Sequence, residues 1–169
     1  MLRNRMNILI LAIIAVTALA GCSGNTINTP GYYSGPGGSS FATAIAPNYG
    51  TGAFDKYSYS VNYCDIYCSI SAPTDEQWFL IPSVSGGYGI TVTITKQSGE
   101  LPITIYGELY DQSGSHISGG GEIVSPSSGL SETYYLSPSA QNYALRVRGN
   151  GSQSFGFKAT VIYGSGVSY

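Results

Sequence analysis

Tyr88-Gly89-Ile90-Thr91-Val92-Thr93-Ile94-Thr95 is the stretch on which the fold turns. Ile90, Val92 and Ile94 recur at every second position, with threonines between them. A strand sends successive side chains to opposite faces, so this spacing makes one apolar face and one hydroxylated face. β-Branched residues suit such a half-buried, pleated surface. Gly86-Gly87 before the stretch and Gln97-Ser98-Gly99-Glu100 after it supply turns.

The same period recurs on both sides. Ala53 to Val61 alternates as a first strand, and Gln77 to Val84 as a second, in which Pro82 marks an edge or a bulge. Pro102 to Tyr110 sets Ile103, Ile105 and Leu109 against Tyr106, Glu108 and Tyr110. Asp111-Gln112-Ser113-Gly114 is a turn, since Asp caps its own backbone and Gly tolerates positive φ. A short return at Ser115 to Ser118, a loop at Gly119 to Gly129, a strand at Ser131 to Leu136 and a turn at Ser137 to Gln141 follow. Asn142 to Arg148 buries Tyr143, Leu145 and Val147 and exposes Arg146 and Arg148. Asn150-Gly151 is a hairpin signal, and Ser154 to Tyr163 closes the chain with Phe155, Phe157, Ala159 and Val161 inward. About eight one-faced strands with no amphipathic helix for crossovers predict an antiparallel β-sandwich. A closed barrel is the structural rival.

Composition narrows the function classes. The chain has 169 residues and a net charge of −2, with only 9% charged residues and 15 tyrosines. Hydroxyls and amides, rather than charge, keep such a surface wet. Clustered Lys and Arg are lacking, so a nucleic-acid surface is not expected.

The amino terminus carries an export signal. Arg3 and Arg5 lead into the apolar run Ile8 to Ala20, too short to span a bilayer as a helix and right for a signal peptide. Leu19-Ala20-Gly21-Cys22 resembles the lipobox of bacterial lipoproteins. The resemblance implies cleavage before Cys22 and acylation of its thiol, including palmitate, and hence a membrane as partner through the lipid. Each buried methylene contributes about 0.8 kcal/mol, so two or three chains anchor stably. Ser23 after the lipidated cysteine favours, by resemblance to the sorting rule of two-membrane bacteria, the outer membrane. Residues 22–40, rich in Gly, Pro, Ser, Asn and Thr, read as a flexible tether. Tyr32 and Tyr33 interrupt it without any period.

Cys64 and Cys68 are the remaining cysteines. In an oxidising compartment a structural disulfide is the expected pairing. It would require this segment to turn or coil, because four residues of extended strand separate Cα atoms by about 13 Å and a disulfide needs about 4.4–6.8 Å. Redox catalysis and zinc binding are weaker readings: the spacing is not Cys-x-x-Cys, and two thiols with one distant histidine do not fill a zinc shell.

The order of the segments resembles the bacterial pre-peptidase C-terminal (PPC) domain. The residues that carry it are Ser40-Phe41-Ala42-Thr43-Ala44, Asp75-Glu76-Gln77-Trp78-Phe79, Gly86 to Val92, Leu109-Tyr110-Asp111-Gln112-Ser113-Gly114, and Asn142-Tyr143-Ala144-Leu145-Arg146-Val147. The resemblance implies a jelly-roll-like sandwich over residues 41–169, with Asn62 to Thr74 as an insertion. Some PPC relatives bind collagen and hold calcium near the amino-terminal segment. No acidic residue lies between Cys22 and Asp55, so no metal site is expected.

Catalytic constellations are not visible. His116, the single histidine, sits on a turn flank, and no Gly-x-Ser-x-Gly elbow occurs. Asp75 and Glu76 are adjacent and cannot face one another as glycosidase carboxylates do. Gly119-Gly120-Gly121 precedes neither a helix start nor a lysine, so it is no phosphate cradle. The chain is therefore expected to be no enzyme and to need no cofactor. Tyr57, Tyr59, Tyr106, Tyr110 and Tyr134 are the candidate binding surface, since outward rings stack on sugars and anchor proteins; tyrosines filling sheet edges and cross-strand pairs are the alternative.

Three segments are expected: residues 1–21 as lipoprotein signal peptide, 22–40 as tether and 41–169 as sandwich. The expected role is a membrane-anchored, non-catalytic binding module of the bacterial envelope for polysaccharide, peptidoglycan or an envelope protein. A structural envelope subunit and an accessory domain of a separately encoded secreted hydrolase are the alternatives.

Overall fold

The computed structural model of the protein describes residues 31–53, 60–71, 74–85, 88–99, 104–119, 129–135, 140–150, 154–164 and 167. They form β1 (Gly31–Ser34), a short 3-10 turn (Phe41–Thr43), β2 (Gly50–Ala53), β3 (Ser60–Ile70), β4 (Glu76–Val84), β5 (Gly89–Ser98), β6 (Thr104–Asp111), β7 (His116–Gly119), β8 (Gly129–Tyr135), β9 (Gln141–Asn150) and β10 (Phe155–Gly164). One sheet runs β1-β3-β10-β5-β8 with β2 also on β3; the other runs β4-β9-β6-β7. Strands β3 to β10, with β6 and β7 as a hairpin in the smaller sheet and the rest passing from sheet to sheet, follow the order of an eight-stranded jelly roll. The fold is an all-β sandwich, as the period-2 pattern predicts.

Alternation becomes burial. Ile90, Val92 and Ile94 of β5 are buried beside Tyr163, Val161 and Ala159 of the neighbouring strand β10 within one core. Phe79, Ile81, Leu145, Val147, Ile105 and Leu109 close the core from the second sheet. Pro82 is a bulge: the β4–β9 register jumps between Ile81 and Val84. At the β6–β7 turn, Asp111 Oδ1 accepts from the Ser113 and Ser115 N–H groups at 2.9 Å each, and Gly114 takes φ 81°.

Two expectations are corrected. Residues 62–70, read as the start of an insertion, belong to β3, an interior strand of the larger sheet paired with β10 from Asn62 to Ile70. Cys64, Ile66, Cys68 and Ile70 fill its core side. Consequently Cys64 and Cys68 are not disulfide-bonded but are free thiols. They lie four residues apart on one extended strand, the geometry that holds Cα atoms about 13 Å apart. Burial, with a smaller push from Asp65, raises the Cys64 thiol to about 12. Burial also raises Cys68. Both stay protonated and unreactive near neutral pH.

The tether boundary also moves. Within residues 22–40, the described part is built into the domain. β1 pairs in parallel with Cys64 to Tyr67, and β2 continues along the same edge of β3. Between them the chain crosses to the other sheet, where Gly38 bridges Trp78 and Ile45 bridges Phe79. Gly38 must be glycine, since a Cβ there would collide with the Thr43 carbonyl. Residues 31–53 therefore cover one open edge of both sheets, which protects strand edges from unwanted pairing. The signal peptide, Cys22, Tyr57 and Tyr59 lie outside the described residues.

Candidate functional site

The outer faces of the two sheets are built from different chemistry. On the four-stranded sheet, Glu76 and Trp78 of β4, Arg146 and Arg148 of β9, and Tyr106, Glu108 and Tyr110 of β6 face away from the core. Register sets Trp78 and Glu108 beside Arg146, and Glu76 and Tyr106 beside Arg148. Arg146 donates to Glu76, to Glu108 (3.2 Å) and to the Tyr110 hydroxyl (3.2 Å). Arg148 donates to Glu108 at 2.8 Å, with its guanidinium 4.1 Å over the Tyr106 ring.

Trp78 is at the centre of this stack. Its indole N–H donates to Glu76 at 2.8 Å, and Tyr110 and Phe41 pack on it at 4.9 and 6.5 Å. Only 8% of Trp78 is exposed. Burial pushes the Glu108 carboxyl up, but the Arg148 hydrogen bond and the charges of Arg148 and Arg146 outweigh it, leaving Glu108 below its usual value. For Arg146, desolvation is outweighed by the Tyr110 and Glu76 hydrogen bonds, so its pKa rises. Trp78, Tyr106 and Tyr110 are each engaged by a neighbour, which makes the face a half-buried ionic–aromatic layer.

The other face is open at one end. Tyr63, Asp65 and Tyr67 alternate on the outward side of β3. Lys158 Nζ pairs with Asp65 at 2.9 Å, and Thr160 donates to the same carboxylate at 2.6 Å. Tyr32 of β1, opposite Asp65, has its ring 5.4 Å from Tyr67 at an interplanar angle of 38°. It is 63% exposed and, with Ile117, is one of two large exposed hydrophobic residues among the described ones.

Tyr67 also lines a cleft of about 430 Å³, together with Ser34, Pro36, Ser69, Ser71 and Asp75. The cleft opens where β1 ends, between β3 and the start of β4. Its inner wall is hydrogen-bonded into place. Asp75 accepts from the Ser71 N–H and from Gln77 Nε2, both at 2.9 Å. Gln77, buried, accepts in turn from the Gly37 N–H at 2.5 Å. Tyr33 donates to the Pro36 carbonyl at 2.7 Å and packs edge-on against Phe79 at 6.0 Å, which fixes the cleft's rim.

The structure brings together only part of the expected tyrosine surface. Tyr106 and Tyr110 share the half-buried ionic–aromatic face. Tyr134 falls in β8 opposite Ile90, and its side chain lies outside the described residues. Tyr32, Tyr67 and Asp75 were not expected to form a site. The signal that could have found them is the period-2 run Tyr63-Cys64-Asp65-Ile66-Tyr67-Cys68, which places Tyr67 outward.

The site offers binding groups rather than a nucleophile–base pair. Cys68 is a raised thiol whose Sγ donates to Gln77 at 3.6 Å. His116 packs against Tyr110 at 5.3 Å, on the opposite face of the molecule. Asp111 spends its carboxylate on its own turn and does not orient that histidine. Among the described residues no group of three potential ligands could hold a metal ion.

No family model and no curated protein sequence matches the chain. Solved structures with a similar fold include a xylan-binding module CBM15, at 10% identity and TM-score 0.37, covering 84% of this chain and 87% of that one. A CBM4 structure aligns at 13% identity and TM-score 0.35, over 71% of this chain and 73% of that one. A pilus protein of Bacillus endospore appendages, from a family of disulfide-linked pili, aligns at 15% identity and TM-score 0.34, over 66% of this chain and 95% of that one. At these distances no ligand or activity is carried over from them.

Proposed function

We propose that the chain is a lipid-anchored, non-catalytic binding module of the bacterial envelope, and that it holds polysaccharide at the Tyr32–Tyr67 pair and the adjoining cleft. One observation carries this reading: exposed Tyr32 packs on half-buried Tyr67, which lines a hydroxyl- and carboxylate-bearing cleft of about 430 Å³. Rings of this kind cover the apolar faces of sugars, while serine hydroxyls and a carboxylate meet their hydroxyl groups. The anchor is proposed on Leu19 to Cys22, and PPC kinship on the order of Asp75–Phe79, Leu109–Gly114 and Asn142–Val147. Eight residues separate Cys22 from β1; fully extended they reach about 30 Å, so the module works close to the bilayer, in the outer membrane where there is one.

The test is retention of the full chain, in detergent, on insoluble polysaccharides and peptidoglycan. Saturable retention that Tyr32→Ala and Tyr67→Ala each reduce supports the reading. Retention unchanged by both substitutions overturns the site, and flow-through on every polymer overturns the ligand class.

A further inference from the structure

We infer that the cleft selects uncharged, hydroxyl-rich glycans and excludes uronate-bearing ones, and that Asp75 sets this choice. The inference deepens the binding reading above and rests on it.

Asp75 is the cleft's fixed charge. Both its carboxylate oxygens are held, one by the Ser71 N–H and one by Gln77 Nε2. Gln77 cannot swing away, because it is buried and pinned by the Gly37 N–H. Each carboxylate oxygen has two lone pairs and uses one here, so the group keeps acceptor capacity for a ligand hydroxyl. A carboxylate already oriented by its neighbours accepts such a bond without reordering.

No Lys or Arg is among the described residues that line the cleft, and Lys96 of β5, at the same end of the sheet, donates to the Gly99 carbonyl. Asp75 accepts from an amide and a backbone N–H, and among the described residues no Lys or Arg forms a salt bridge with it. Lys158, beside Tyr67, is committed to Asp65 at 2.9 Å. Arg146 and Arg148 are committed to Glu76 and Glu108 on the opposite face. The remaining polar lining of the cleft consists of serine hydroxyls, the Gln77 amide, the Cys68 thiol, the Tyr67 phenol and backbone. A glycan carboxylate entering here meets a like charge with no cation among the described lining residues to offset it, whereas a neutral pyranose meets acceptors, hydroxyls and an aromatic face.

The test compares a soluble neutral β-glucan with polygalacturonate of similar length, using the full chain in detergent and affinity electrophoresis. At low ionic strength the glucan should bind at least tenfold more tightly. Raising the salt should narrow that gap in the native protein, since screening weakens like-charge exclusion within a part-exposed cleft. Asp75→Asn should narrow it too, with thermal unfolding confirming that the variant folds; the salt series needs no variant at all. Equal binding of both polymers, still lost in Tyr32→Ala, overturns the charge selection and leaves the aromatic site standing. A gap that salt leaves unchanged also overturns it. Binding of neither polymer overturns the reading on which it rests.

Discussion

The two outer faces hold similar residues in opposite states. On the four-stranded sheet, tryptophan, tyrosines and charged groups satisfy one another: two arginines meet two glutamates, and each guanidinium also lies over a ring. At the β1 end of the six-stranded sheet, exposed Tyr32 packs on half-buried Tyr67, which Lys158 also approaches at 5.7 Å, beside a cleft whose carboxylate has no salt-bridge partner among the described residues. Aromatic content alone therefore does not mark a binding surface. What distinguishes the two is whether cross-strand neighbours have already consumed the rings and charges. Engaged rings stabilise; exposed rings are free to bind.

Mutations should separate the two roles. Trp78→Ala should cause the largest loss of stability, about 3–5 kcal/mol, as expected for a buried large aromatic, read by denaturant unfolding. Glu108→Gln should cost about 1–3 kcal/mol by leaving Arg146 and Arg148 under-satisfied. The pH dependence follows from the depressed carboxyl of Glu108, which binds protons less readily folded than unfolded. Its contribution is complete above the usual carboxylate value of 4.5 and is lost as pH falls below it toward the folded pKa. Unfolding midpoints measured down the acid range should fall less steeply in Glu108→Gln than in the native protein, with Asp111, also held below its usual value, supplying part of the slope that stays.

Tyr32→Ala should behave in the opposite way. Polysaccharide affinity should fall about tenfold, equivalent to about 1.4 kcal/mol, while stability changes by about 0.5 kcal/mol or less. A comparable affinity loss from Tyr106→Ala would break the contrast between the faces. Smallest of all, Lys158→Met should cost about 0.2–1 kcal/mol, the range of surface ion pairs, and removing it should leave neutral-glycan retention intact.

Much of the sandwich could be read from the chain because β5, β6, β9 and β10 carry a one-faced alternation, and β4 carries one up to its bulge at Pro82. β3 carries one as well, through Cys64, Ile66, Cys68 and Ile70, but treating 62–74 as an insertion hid it. β1 has no pattern to read: Gly-Tyr-Tyr-Ser becomes a strand only because the edge of β3 offers it partners. The candidate site stayed hidden for that reason, since Tyr32 and Tyr67 lie far apart in sequence and meet only through that parallel pairing. Arg146 and Arg148 were legible as outward residues, yet their glutamate partners depend on cross-strand register, which no local pattern encodes.

Trp78 is the chain's single tryptophan, and its placement has an optical consequence. The fluorophore lies under Phe41 and Tyr110, on the strand whose edge is bridged by Gly38 and Ile45. Its emission is therefore a gauge of how firmly residues 38–45 are docked on the sandwich. It should shift to the red as that strap peels away in denaturant, ahead of any signal from the opposite sheet, and should stay silent when a sugar settles on Tyr32.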